Sequence, residues 1–188
     1  MINKYILIPL VIFSSHSYAG DYILGSLCSS QEQVYASCTL KNKKIVSFCG
    51  VPAGDKNKDM TLVQYRYGTP KKIELIYPEE AMSPEGIFFK IDGSCGVIGG
   101  PDEKNKMCGE GGIKRSVALT FYSGLFRYSF FYQGNFNDHT LESEKMGLKV
   151  DRKERNEYKK NVFSQLCDEN HSETFNVDTG IFEEFKIN

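Results

Sequence analysis

Tryptophan is absent from this chain, histidine is scarce, and the two signs of charge nearly cancel. Each shortage excludes something. Of three histidines, His16 lies near the N-terminus, so imidazole chemistry would rest on His139 and His171. Both sit in polar stretches (residues 137–140 and 168–171) that read as surface loops rather than catalytic centres. No serine nucleophile-elbow sequence is present. With 23 Lys and Arg against 24 Asp and Glu, the chain lacks the basic excess that nucleic acids and anionic membranes require. There is no Cys-x-x-Cys pair of the kind that opens a zinc site. The longest apolar run, residues 5–13 (YILIPLVIF), falls short of the roughly 20 residues that cross a bilayer.

That run is informative in another way. A short basic start ending at Lys4, the apolar run, and Ser17-Tyr18-Ala19 together have the form of an export signal cleaved after Ala19. Residues 24–28 (LGSLC) only faintly resemble a lipobox, because Leu27 stands where a small residue is needed and the apolar run ends far upstream. The expectation is a signal peptide over residues 1–19 and a single domain over 20–188, periplasmic or secreted. All six cysteines (Cys28, Cys38, Cys49, Cys95, Cys108 and Cys167) lie beyond the signal. In an oxidising compartment an even count reads as a disulfide framework rather than as thiols for catalysis or metal binding. Cys38 and Cys49 flank one hairpin pattern, and Cys95 and Cys108 flank another. The preferred pairing is therefore Cys38 with Cys49, Cys95 with Cys108, and Cys28 with Cys167.

Strand patterns dominate the rest. Residues 34–40 and 44–48 surround a polar Lys41-Asn42-Lys43 turn. Residues 61–67 alternate with Thr61, Val63, Tyr65 and Tyr67 on one face, and residues 72–77 alternate with Ile73, Leu75 and Tyr77 together. Further strands are expected over 86–92, 95–98, 117–122, 125–133 and 146–150, with Ser123-Gly124 as a two-residue turn. The exception is 152–167, where Tyr158, Val162, Phe163 and Leu166 fall at helical spacing. The fold expected is mainly β, an antiparallel sandwich or barrel-like sheet with one short C-terminal helix, stapled by disulfides. A last strand or ordered tail is expected over 174–185.

The stretch from Cys38 to Pro78 carries a resemblance. Its Cys38-Thr39-Leu40-Lys41 start, Ser47-Phe48-Cys49, Gln64-Tyr65-Arg66-Tyr67-Gly68 and Lys72-to-Pro78 (KIELIYP) resemble a group of small exported, cysteine-containing β-rich proteins of Gram-negative bacteria. The resemblance implies a periplasmic β-domain and no activity.

Sites of chemistry are few. Residues 55–59 (DKNKD) open like a calcium loop, but Met60 and Arg66 replace the required glycine and glutamate, and two lysines repel a cation. Residues 96–112 are glycine-rich yet lack the Gly-Lys-Ser/Thr ending of a phosphate loop. Neither a metal nor a cofactor is implied. Asn170-His171-Ser172 matches a glycosylation sequon, which means little in a bacterial exported protein. The loop over 99–112, with Asp102, Glu103, Lys104, Asn105 and Lys106 at its tip, is instead a candidate contact surface, as is 50–59. The run 121–136 (FYSGLFRYSFFYQGNF) holds eight aromatics. Its Phe126, Tyr128, Phe130 and Tyr132 share a strand face and suit core packing. Tyr128 and Tyr132 also offer a binding platform for a glycan, peptide or protein. The functional expectation is an exported, non-catalytic binding protein of the inhibitor or immunity type, acting on a protein of the cell envelope. The alternatives are a periplasmic hydrolase using dispersed carboxylates with His139 or His171, and a structural envelope protein.

Overall fold

The computed structural model describes residues 22–52, 61–93, 113–137, 140–155, 157–170, 173–177 and 180–184. Among these residues every regular element is a strand. In chain order they are β1 (Gln33–Thr39), β2 (Ile45–Pro52), β3 (Thr61–Thr69), β4 (Lys72–Met82), β5 (Phe89–Asp92), β6 (Ile113–Ser123), β7 (Phe126–Asn137), β8 (Thr140–Glu154), β9 (Glu157–Leu166), β10 (Thr174–Phe175) and β11 (Glu183–Glu184). They form a five-stranded sheet in the order β10-β1-β2-β3-β4 and a six-stranded sheet in the order β11-β5-β6-β7-β8-β9. Pairing is antiparallel throughout except where β11 runs parallel to β5.

Period-two alternation sets which side chains meet. In the first sheet Val46 and Phe48 lie opposite Tyr67 and Tyr65, and in the second Phe121 and Leu119 lie opposite Tyr128 and Phe130. These rows face each other across one core. Phe48 packs edge-on against Tyr65 and Phe88, and Tyr65 lies 4.7 Å from the Phe121 ring centroid. Aromatic rings thus take the place of the missing tryptophan, in the offset and edge-to-face arrangements that their quadrupoles favour. The two-residue turn before β7 is Gly124-Leu125, since Ser123 pairs with Phe126. It lies one residue later than the sequence suggests, with Gly124 supplying the positive φ of 56°.

The expected helix over 152–167 is not formed; most of this segment is β9, paired along β8. Register shifts at Val150/Asp151 and Arg152/Lys153 leave Val162 and Lys159 unpaired as bulges. Two extra residues break the alternation and mimic a helical period. The residues that would have shared a helix face are divided between the two sides of the sheet. Phe163 turns inward to Tyr67, at 6.2 Å, while Tyr158 turns outward to Tyr122 and the Arg127 guanidinium. On that outer side Asp151 is nearly inaccessible and is held by Arg127 at 2.8 Å and Lys149 at 3.2 Å. Burial raises its carboxyl pKa, but these cations and Asn161 outweigh burial and hold it below the ordinary range.

The disulfides also correct the expectation. Cys28 is joined to Cys49, and Cys38 to Cys167. Cys38 lies opposite Val46 and Cys49 opposite Val34, so the two cysteines of the first hairpin point to opposite faces and cannot meet. Cys49 points away from the core and ties down residues 22–32, which lie across the outer face of the first sheet. There Ser47 Oγ accepts from the Leu27 amide, Ser37 Oγ donates to Gly25 O, and the Arg66 guanidinium holds both carboxylate oxygens of Glu32. Cys38 points into the core and joins the end of β9. At that corner the chain passes from one sheet to the other: the Cys167 amide donates to Met146 O and the Asp168 amide to Thr39 O. Cys95, Cys108 and the strand expected over 95–98 lie outside the described residues. Disulfides and an all-β structure are both as expected, and the bridges accord with an oxidising environment.

Candidate binding site

The two sheets do not close evenly. The C-terminal segment fills one flank of the core, where Phe175 packs on Phe130 and Tyr132 and Phe182 packs edge-on to Tyr35. Beneath the β3–β4 hairpin the sheets stand apart around a cavity of about 290 Å³. β3 and β4 supply Tyr65, Tyr67 and Leu75 to its wall. β7 and β8 supply Phe126, Tyr128, Leu148 and Val150, and the bulged part of β9 supplies Val162 and Phe163. The lining is almost wholly apolar, and five of these nine side chains are aromatic.

The β3–β4 hairpin above the cavity is irregular near its turn. A bulge between Tyr67 and Gly68 shifts the β3–β4 register. Gly68, at φ 147°, brings its backbone so close to Lys72 O that a Cβ there would stand 2.4 Å from it. Tyr67, just before this bulge, stands in the cavity wall. Polar groups gather at the rim: Asn42 donates to the Tyr67 hydroxyl at 3.4 Å, and the Lys44 ammonium lies over the Tyr67 ring while ion-pairing with Glu74. An apolar interior with a few polar groups at its edge is the usual build of a ligand pocket.

Three of the wall residues, Tyr65, Tyr67 and Tyr128, carry phenol hydroxyls. Tyr65 is fully buried, and among the described residues its hydroxyl has no hydrogen-bond partner. Burial, reinforced by the neighbouring Tyr128 and Tyr67 phenols, pushes its pKa well above the ordinary tyrosine value. Burial likewise raises Tyr128. Both phenols therefore remain neutral at physiological pH, and the cavity presents no charge.

Of the tyrosines singled out in the sequence, Tyr128 is part of this wall. Tyr132 lies elsewhere; it stacks on Phe175, and its hydroxyl donates to Glu144 at 3.0 Å. The loop residues Asp102, Glu103, Lys104, Asn105 and Lys106, with His139 and His171, lie outside the described residues. So does most of the 50–59 loop. Sequence reasoning missed Tyr65 and Tyr67 as site residues although their shared face was legible in the β3 alternation. It placed Val162 and Phe163 on a helix. Among the described residues one cluster has metal-ligand spacing, Cys28, Glu32 and Cys49. Both of its sulfurs are consumed by the disulfide, and Glu32 is engaged by Arg66. No protein-family model matches the chain, and comparisons with curated proteins and with solved structures give no match.

Proposed function

We propose that this is an exported, non-catalytic binding protein of the periplasm, and that the cavity beneath the β3–β4 hairpin is its binding site. The observation that carries the reading is the open, uncharged, aromatic-walled cavity set in a disulfide-tied β scaffold. A scaffold held by bridges keeps such a cavity formed before a ligand arrives, which lowers the ordering cost of binding. The occupant is an uncharged apolar group; an inhibitor or immunity role would present this cavity, or the loop over 99–112, to a protein of the cell envelope. The resemblance of Cys38–Pro78 to small exported β-rich proteins accords with this compartment.

The test is titration of the folded chain with naphthalene, compared with Val162→Trp. Val162 lines the cavity yet is about half exposed, so a larger side chain there narrows the mouth without burdening the core. Saturable binding by the parent protein, lost in the variant, is the expected outcome. Absence of saturable binding, or binding indifferent to the variant, would refute the assignment.

A further inference from the structure

The outer face of the second sheet carries a depression of about 390 Å³. Strand register sets its lining. Val117 and Leu119 of β6 and Phe130 of β7 face the core, so the residues beside them along each strand face outward. Cross-strand partners share a face, which lays two polar rows across β6, β7 and β8. Lys114, Asn135 and Ser143 form one row, and Ser116, Gln133 and Lys145 form the other. The alternation turns the row between them, Arg115, Gly134 and Glu144, the other way, and the depression lies between the two polar rows. The next outward row is apolar. It pairs Ala118, Phe131 and Gly147, and a Cβ on Gly147 would stand 3.1 Å from Phe131 Cζ. The Phe131 ring therefore reaches across Gly147 beside the polar rows, half-buried, with part of its surface left to solvent.

Charge and hydrogen-bonding capacity on this face select a ligand. Lys114 and Lys145, on opposite sides of the depression, have no acidic partner among the described residues. The acid in the lining, Glu144, is engaged by the Tyr132 hydroxyl. Asn135 donates to Ser143 Oγ at 2.9 Å and keeps its carbonyl oxygen for an incoming hydroxyl. The Gln133 amide is exposed and has no side-chain partner among the described residues. A sugar bearing a carboxylate matches each of these groups. Its hydroxyls meet the amides, its C–H side packs on the electron-rich face of the ring, and its charge meets an ammonium.

We propose that this outer face is a second binding site, for an acidic oligosaccharide. Phe131 is its stacking platform, Gln133 and Asn135 bind hydroxyls, and Lys114 and Lys145 hold carboxylates. Strands about 4.8 Å apart, rising about 3.4 Å per residue, put the two lysine backbones roughly 12 Å from each other. The ligand therefore spans more than one sugar. This site lies on the opposite side of the second sheet from the apolar cavity and goes beyond the function proposed for it.

Calorimetric titration compares three probes. Tetragalacturonate is the acidic sugar chain, its methyl ester keeps the chain without the charge, and polyglutamate keeps carboxylates without the sugar. The variants are Phe131→Ala and the double replacement Lys114→Gln with Lys145→Gln; all three side chains lie on the solvent side, and far-UV circular dichroism checks the fold. The parent binds tetragalacturonate at least about tenfold more tightly than the ester, as one charge-assisted hydrogen bond implies, and more tightly than polyglutamate. The double lysine variant loses that advantage of acid over ester. Phe131→Ala weakens acid and ester alike, by about fivefold. Equal binding of acid and ester, an acid preference that survives the lysine replacements, or indifference to Phe131→Ala overturns the inference. Polyglutamate binding as tight as that of tetragalacturonate reduces the face to unspecific charge attraction and overturns it too, as does failure of tetragalacturonate to bind.

Discussion

Replacing Cys38 and Cys167 together by alanine removes the bridge between the sheets, and the loop it closes sets the size of the loss. The bridged residues are 129 apart in sequence, for which chain entropy gives about 5 kcal/mol. The Cys28–Cys49 bridge spans 21 residues and is worth about 3.4 kcal/mol on the same basis. All four cysteines are essentially buried, so the packing lost with the sulfurs is similar in the two double variants and largely cancels between them. The difference of about 1.6 kcal/mol comes from loop length alone. At roughly 2–4 °C per kcal/mol for a domain of this size, the Cys38/Cys167 variant should melt about 3–6 °C below the Cys28/Cys49 variant. Denaturant titration of both, followed by far-UV circular dichroism, gives the free energies directly. Changing both members of a bridge avoids creating a new thiol. The order is the sensitive quantity. Equal losses, or a larger loss on removing Cys28–Cys49, would show that the strap over residues 22–32, not the tie between sheets, governs stability.

Tyr65→Phe without ligand should leave thermal stability unchanged or raise it by up to about 1 kcal/mol, because it removes a buried hydroxyl with no partner; a loss of that size would show that the hydroxyl is satisfied. Glu32→Gln should destabilise by about 2 kcal/mol near pH 7, since the Arg66 guanidinium is left poorly paired beside the strap. Burial raises the Glu32 pKa, but Arg66 and the Ser29 amide outweigh it and hold the group below its ordinary 4.5. Its contribution is therefore present above that pH and lost as pH falls through the lower folded value. The gap between parent and Glu32→Gln should narrow as melts are taken progressively further below pH 4.5, and a constant gap would contradict the charge assignment. Gly68→Ala should cost about 2–3 kcal/mol from the steric conflict with Lys72 O and its φ, and it should weaken naphthalene binding by displacing the hairpin that covers the cavity. A neutral substitution would contradict that placement.

The strands that could be read from sequence are those whose alternation and turn are both local. β1–β2 closes on polar Lys41-Asn42-Lys43, and the β7 alternation correctly grouped Phe126, Tyr128, Phe130 and Tyr132. β9 could not be read, because two bulges take it out of phase, and their position depends on pairing with β8. The site was legible by halves. Tyr128 stood out as an aromatic on a patterned face, whereas Val162 and Phe163 became wall residues only once β9 lay across from β3.

Sequence by itself determined that this chain would bury aromatic, alternating strands and that its cysteines favour disulfide ties over metal chemistry. Those properties follow from side-chain type and near-neighbour spacing. Tertiary structure alone decided which cysteines meet, since Cys38 and Cys49 share a hairpin but point to opposite faces of it. It also decided that Tyr65 and Phe163, far apart in the chain, would wall one cavity. Both outcomes depend on how two twisted, bulged sheets settle against each other, and no local interaction encodes that.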